Sequence, residues 1–290
     1  MTGPLLESVG LVAHRDRPEA HDLAARAAKW LGDRGIVVRV PTADAEAVGL
    51  GPFAGGDGDA FVRGLDLVIT LGGDGTMLRA VDMAYEHGVA VLGVNVGQMG
   101  YLTEVEPDDL DDALERLAGG DYEVAERMVL EVDVVSSGPA GGRWWALNEA
   151  VLEKVRTGRL ARLAVDINGT YFTTYAADGV IVATPTGSTA YSFSARGPIV
   201  SPRHRCLLLT PVSPHMLFDR SLVLDPEEEL RFRVEDARSV VLTLDGMVRG
   251  ELSVGDSVTC SGGPRPARIV TFGPRDFHQI LKAKFGLADR

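Results

Sequence analysis

Leu67, Val68, Ile69, Thr70 and Leu71 run without a polar break into Gly72-Gly73-Asp74-Gly75-Thr76. An apolar, β-branched run with no polar alternation is the pattern of a strand buried on both faces, as in a parallel sheet covered by helices. A helical pattern follows at once. Met77, Val81, Ala84 and Tyr85 fall at i, i+4, i+7 and i+8, one face of a helix. Thr76 is expected to cap its start and Gly88 its end. Strand, glycine turn and helix together demand an α/β layout with right-handed crossovers.

The same turn points to chemistry. Glycines let a backbone curl with its N–H groups exposed and let a phosphate come close. The helix N-terminus adds positive potential. Gly72, Gly73, Gly75 and Thr76 are therefore the expected phosphate-binding residues. A bare phosphate cradle would exclude a carboxylate, yet Asp74 stands inside it. That placement fits a group that handles a hydroxyl proton or a metal while the turn holds phosphates, the layout of a phosphotransferase. Gly55-Gly56-Asp57-Gly58 repeats the tetrapeptide with no strand feeding it, and reads as a surface loop.

The rest of the N-terminal half repeats the βαβ pattern. Residues 9–13 read as a strand, followed by a helix with Pro18 near its start and Ala20, Leu23, Ala24, Ala27 and Leu31 on one face. Gly35 ends it, residues 36–40 form a second strand, and 41–60 read as loop. Residues 89–94 form another buried strand, leaving through Asn95-Val96-Gly97-Gln98-Met99-Gly100-Tyr101-Leu102. Ligands of open parallel sheets sit at the carboxyl ends of strands, so this second glycine loop should lie beside the first. Leu110, Ala113, Leu114 and Leu117 mark a further helix.

Near residue 126 the period changes. Leu130, Val132 and Val134 alternate with Glu131 and Asp133, and short strands with turns continue to about 272. Ile167-Asn168-Gly169-Thr170 is a hairpin signal. The expectation is an α/β N-terminal domain with a parallel, Rossmann-like sheet over 1–125, and a C-terminal antiparallel, β-sandwich-like domain over 126–272. A closing helix within 273–290 should pack back on the first domain.

Within the β part, the run 178–192 is too rich in small polar residues for a plain strand. Its Thr184, Thr186, Ser188, Thr189 and Ser192 hydroxyls, with free amides, suit the sugar, base and phosphate edges of a nucleotide. Gly187-Ser188-Thr189-Ala190 lacks the second glycine of a hydrolase elbow. Asn148-Glu149 could meet a ribose or base edge, though a solvated hairpin end is the plainer reading.

A net charge of −12 argues against a nucleic-acid partner, and it obliges any phosphate site to supply local positive groups or a cation. No apolar run reaches the roughly 20 residues of a bilayer span, so no membrane partner is expected. No signal peptide is apparent. Cys206 and Cys260 make no disulfide framework and suit a reducing compartment, so a cytoplasmic location is expected. The six histidines show no metal-binding spacing, so no metal ligands are assigned.

Taken in order, these stretches resemble the NAD kinase family: Gly72-Gly73-Asp74-Gly75-Thr76, Asn95 through Gly97 and Gly100-Tyr101-Leu102, Asn148-Glu149, and 178–191, with Pro214-His215 and Asp245-Gly246 as shorter matches. The resemblance implies phosphorylation of the 2′-hydroxyl of the adenosine ribose of NAD by ATP, giving NADP and ADP. It implies a divalent cation, usually Mg²⁺, with no dedicated protein cage, and self-association into a dimer or tetramer. Asp74 matches the proton acceptor. Asp74, Gly75, Arg79, Asn148, Glu149, Arg159, Asp178, Thr189, Ala190, Tyr191, Ser192, Phe193 and Ser194 match NAD-contacting positions. The chain departs from the family at Arg196, where a glycine is usual, and at Met247, where a glutamine is common. Ala176 is small at a position that in the family bears on NAD against NADH. The alternatives are a lipid kinase of the diacylglycerol kinase type, which shares the first glycine motif, and a non-enzymatic NAD(P)-sensing module.

Overall fold

The computed structural model describes residues 6–98, 100–155, 159–235, 239–273 and 276–287. Met99 of the second glycine loop, and 274–275 and 288–290 of the expected closing helix, lie outside them. The chain forms two compact units, 1–126 with 267–290, and 127–266.

The first unit carries β1 (Ser8–Ala13), α1 (Pro18–Gly32), β2 (Val37–Arg39), α2 (Thr42–Ala45), α3 (Asp59–Val62), β3 (Leu67–Gly72), α4 (Asp74–Ala84), β4 (Ala90–Asn95), α5 (Leu110–Ala118) and β5 (Glu123–Arg127). Its sheet has the order β2-β1-β3-β4, then the strand Ala267–Thr271, then β5. The pairs β1–β2, β1–β3 and β3–β4 are all parallel. Every residue of β1, β3 and β4 is buried, as unbroken apolar runs require. Leu67, Ile69 and Leu71 of β3 share a core with Ala20, Leu23, Ala27 and Leu31 of α1 and Leu110, Leu114 and Leu117 of α5. Helix α4 packs against β3, β4 and β1.

Three local expectations change here. The strand Ala267–Thr271 joins the parallel sheet, with Ile269 paired to Val91, rather than ending the β domain at 272. Its partner lies far back in the chain, where no local pattern reveals it. The stretch 41–60 is not all loop, because it holds α2, the start of α3 and a 3₁₀ turn at Gly51–Phe53. Thr76 is not the cap of α4. Gly73 is, and Thr76 lies in the first turn, buried against Gly72. Gly88 does close the segment, with φ of 65° after the 3₁₀ turn Tyr85–His87. The closing helix Phe277–Phe285 has no buried residue; Lys284 Nζ stands 4.2 Å over the Tyr101 ring.

The second unit carries β6 (Leu130–Val135), β7 (Gly142–Ala146), β8 (Glu149–Lys154), β9 (Ala161–Ile167), β10 (Thr170–Ala177), β11 (Gly179–Ala183), α6 (Tyr191–Ser194), β12 (Leu207–Val212), β13 (Leu222–Leu224), β14 (Leu230–Val234), β15 (Val240–Leu244), β16 (Met247–Leu252) and β17 (Ser257–Gly262). They make two six-stranded sheets, β10-β9-β14-β17-β6-β7 and β13-β12-β11-β8-β15-β16. Leu130, Val132, Leu163, Val165, Leu230 and Phe232 of one sheet share a core with Leu152, Val180, Val182, Leu207, Leu209 and Leu242 of the other. That is a sandwich built on period-2 alternation. The turn between β9 and β10 has Asn168 at φ 51° and Gly169 at φ 76°, the hairpin that Asn-Gly favours. Strands β8, β11 and β12 are covered on their outer face too: Val151, Ile181, Ala183 and Leu208 pack under Ala195 and Val200. Among the described residues no helix is long and apolar enough to cross a membrane.

Candidate functional site

In the first unit the sheet order reverses between β1 and β3, the place where open parallel sheets bind ligands. A cavity of about 450 Å³ opens there, lined by His14, Arg15, Asp16 and Arg17 from the end of β1 and by Gly73, Asp74, Gly75, Thr76 and Arg79 from the start of α4. The glycines do different things. Gly72 is small because Thr76 lies where a Cβ would be. Gly73 and Gly75 would meet nothing within 4 Å, so no atom of the chain requires them to lack a side chain. Neither has positive φ, so the turn into α4 needs no left-handed residue. Their smallness keeps the cavity wall open. The amides of a first helical turn lack intrahelical acceptors. Thr76 N and Met77 N turn back to Gly73 O at 3.0 and 3.1 Å, while those of Asp74 and Gly75 precede the first such bond.

The second glycine loop does lie beside the first. Val96 N donates to Gly72 O at 3.0 Å. Tyr101 N donates to Asp74 Oδ2 at 2.9 Å and Leu102 N to Asp74 Oδ1 at 3.0 Å. A Cβ on Gly100 would overlap the Asp74 carboxylate. One glycine loop thus sets the angle of the acid carried by the other. Burial, with the Asp74 charge adding to it, raises the Tyr101 phenol above its ordinary value.

Arg79 was legible through the family resemblance, whereas Arg15 and Arg17 were not. Asp44 on α2 has a side chain only 1% exposed and pairs with both Arg15 and Arg79, the latter at 2.8 Å. Arg79 Nη2 also donates to Ala13 O at 3.0 Å. Arg17 donates to Val96 O. These side chains supply the local positive groups that the net charge of −12 made necessary. For Arg15 and Arg17 the available signal was their position just after β1, the strand next in the sheet to β3.

In the second unit, Asn148 and Glu149 are buried rather than at a solvated hairpin end, and Glu149 opens β8. The carboxylate of Asp245 holds them, accepting from Leu147 N at 2.7 Å, Asn148 N at 2.8 Å and Glu149 N at 3.1 Å. Asp245-Gly246, one of the shorter family matches in the sequence, is a hairpin turn with φ of 49° and 80°. Burial, then the Asp245 charge, pushes the Glu149 carboxyl up to about 8, against a lowering contribution from the Tyr191 backbone amide. Glu149 Oε2 is buried with no hydrogen-bond partner.

The run 178–194 folds over this pair. Thr184 N donates to Asn148 O at 2.9 Å and Thr184 Oγ1 to Leu147 O at 2.6 Å. Gly187 lies so close to the Asn148 backbone that a Cβ would overlap it. The hydroxyls expected to face a nucleotide mostly turn inward. Ser188 Oγ both donates to Val200 O and accepts from Val200 N at 3.0 Å, and Ser192 Oγ meets Thr210 Oγ1. A short polar turn over a sheet needs internal partners for its backbone and hydroxyls, and these take them. Thr189, Ala190 and Phe193 are half-buried, Tyr191 and Ser194 exposed. The Tyr191 hydroxyl donates to Glu153, and Asp178 pairs with Lys154. Tyr191 links these residues into a cluster that runs the length of β8: its amide meets Glu149 and its hydroxyl Glu153, while Asp178 pairs with Lys154 at the far end of the strand from Asn148. Arg159 is exposed and makes no bond to that cluster among the described residues. No group of three His, Cys, Asp or Glu side chains placed to hold a metal ion occurs among the described residues.

Residues 56–122 match the family described as the ATP-NAD kinase N-terminal domain, and 147–272 match the ATP-NAD kinase C-terminal domain. The chain is 42% identical over 280 residues to an NAD kinase of Heliobacterium modesticaldum, covering 96% of this chain and 98% of that one. It is 40% identical over 291 residues to NAD kinase 2 of Streptomyces avermitilis, covering 99% and 97%. Among solved structures, yeast NADH kinase in complex with NADH superposes with a TM-score of 0.89 at 25% identity, covering 99% of this chain and 89% of that one. An Archaeoglobus fulgidus NAD kinase in complex with ATP has a TM-score of 0.72 at 23% identity, covering 96% and 97%, a likeness of fold.

Proposed function

The chain belongs to the NAD kinase family, and from that premise we infer that it is an enzyme that phosphorylates NAD. The acceptor is the 2′-hydroxyl of the adenosine ribose, the donor ATP, and the products NADP and ADP. Similarity running over nearly the whole length to NAD kinases leaves nothing in favour of the lipid-kinase and sensor alternatives.

One observation carries the mechanism: Asp74 stands on the wall of an arginine-lined cavity with each carboxylate oxygen held by one amide. Each oxygen keeps a free lone pair for a hydroxyl proton. As the ribose oxygen bonds to the γ-phosphorus, its proton passes to Asp74, the bond from that phosphorus to the β–γ bridging oxygen breaks, and ADP leaves. A ribose hydroxyl is a poor nucleophile, so most of the acceleration comes from alignment and charge neutralisation. The first-turn amides at Asp74 and Gly75 suit the phosphates.

The dinucleotide-binding residues are Asn148, Glu149, Arg159, Asp178, Thr189, Ala190, Tyr191, Ser192, Phe193 and Ser194 of the second unit and Asp74, Gly75 and Arg79 of the first. Ser192 acts through its backbone, since its hydroxyl is already engaged. Raised to about 8, Glu149 is largely uncharged near neutral pH and meets a sugar or base edge as a donor without repelling the pyrophosphate.

As the family resemblance implies, a divalent cation, Mg²⁺ above all, would be brought in on the phosphates rather than held in a dedicated protein cage, and the carboxylates of Asp16 and Asp74 on the cavity wall are oxygen donors of the kind it takes. Such a cation supplies charge neutralisation. The enzyme works in a reducing, cytoplasmic setting, in keeping with two free and buried cysteines. It self-associates as a dimer or tetramer, as its family resemblance implies. Purified protein with NAD, ATP and Mg²⁺ is expected to form NADP; no NADP above a protein-free control would overturn this reading.

A further inference from the structure

Resting on the kinase reading above, we propose that Arg15 and Arg17 hold the phosphates of the nucleoside triphosphate donor, and that buried Asp44 is a positioning residue that aims Arg15 from beneath the cavity. Asp44 belongs to a four-residue helix in a stretch otherwise rich in small residues and turns, yet its side chain is 1% exposed. A buried carboxylate is unfavourable unless paired, and it is paired twice, with Arg15 and Arg79. The two arginines differ in what they keep free. Arg79 is 29% exposed, and one terminal nitrogen is committed to Asp44 and the other to Ala13 O. Arg15 is 51% exposed, anchored through Nε, so its two terminal nitrogens remain for a ligand.

Arg17 is fixed by a different device. It donates to a neutral carbonyl, Val96 O, which leaves its charge uncompensated at that contact. Gly97, at φ 111°, passes so close to Arg17 Nη1 that a Cβ there would overlap it. The second glycine loop therefore seats Arg17 as well as Asp74. Both arginines line the same cavity as Gly73 and Gly75, whose missing side chains nothing in the chain requires. The same wall also carries Asp16 and Asp74, so an anion needs both guanidinium groups as well as the helix amides. A string of phosphates laid along Arg15, Arg17 and the α4 N-terminus fits this donor pattern; a ribose or base would leave the guanidinium groups unpaired.

The test measures the Michaelis constants for ATP and NAD separately in wild type, Arg15→Ala, Arg17→Ala and Asp44→Asn, with inorganic tripolyphosphate titrated calorimetrically into each protein. Each arginine variant is expected to raise the ATP KM by about tenfold or more while the NAD KM stays within about twofold, since a charge-assisted hydrogen bond is lost on one substrate only. Asp44→Asn should raise the ATP KM in the same direction, and Asp44→Glu should recover part of it. A merely structural Asp44 would instead lower the melting temperature and leave the affinity for tripolyphosphate unchanged in the folded Asp44→Asn protein. Tripolyphosphate should bind wild type and lose about tenfold or more in affinity in an Arg15→Ala, Arg17→Ala double variant that keeps its melting transition. Unchanged tripolyphosphate affinity in that double variant would overturn the proposal whether or not the protein makes NADP. If wild type makes no NADP, the kinase reading has failed, and the titration alone decides for or against the anion site.

Discussion

Replacing Glu149 by Gln should make the protein more stable at alkaline pH and remove most of one pH dependence. The Glu149 side chain is buried, at 6% exposure, with Oε2 unpartnered and the Asp245 carboxylate nearby. Loss of water, then the Asp245 charge, raise its pKa from 4.5 to about 8. Between those two values the native state holds one proton more than the unfolded chain. Stability from this group is thus fully present below the unfolded pKa and is lost as pH rises, at about 1.4 kcal/mol per unit, levelling off above the folded pKa. Over the whole interval the loss is about 5 kcal/mol at most. Gln keeps the shape and carries no charge, so its profile lacks this slope. Denaturant unfolding of both proteins at a series of pH values from about 5 to 9 reads the difference directly. Wild type should lose ground to Glu149→Gln by several kcal/mol across that series, and its NAD affinity should fall as pH passes the folded pKa while the variant's does not. Parallel stability profiles would refute the burial argument.

Other perturbations test the remaining joints. Gly100→Ala places a methyl on the Asp74 carboxylate; turnover should fall by about a hundredfold with NAD affinity little changed, as expected when a proton acceptor is displaced, and steady-state kinetics with a binding titration separate the two. Asp245→Ala strips an acceptor from three buried amides; a loss of about 2–5 kcal/mol is expected from unsatisfied donors, measured by denaturant unfolding.

Much of this architecture follows from local pattern. The strand β3, the helix α4 and the meeting of the two glycine loops all come from an unbroken apolar run, a 3.6-residue period and the rule that ligands gather at strand ends. What local pattern misses is long-range or inward-facing. Ile269 pairs with Val91 across most of the chain. Asp44 sits in a stretch with no periodicity, and only three-dimensional burial marks it out. The family match marks Asp245 but does not say what it does, and only the fold shows its carboxylate bracing 147–149. The hydroxyl-rich run was recognised by composition, but composition does not say which way a hydroxyl points, and Ser188 and Ser192 point inward.

The central claim is that the Asp74 carboxylate receives the ribose proton. Asp74→Asn keeps a group of the same size that still accepts a backbone hydrogen bond, but it cannot take the proton. Single-turnover phosphorylation of NAD by that variant, run beside a direct NAD binding titration, should show binding within about threefold of wild type and a rate lower by roughly two to four orders of magnitude. A rate near that of wild type with binding intact would contradict the account.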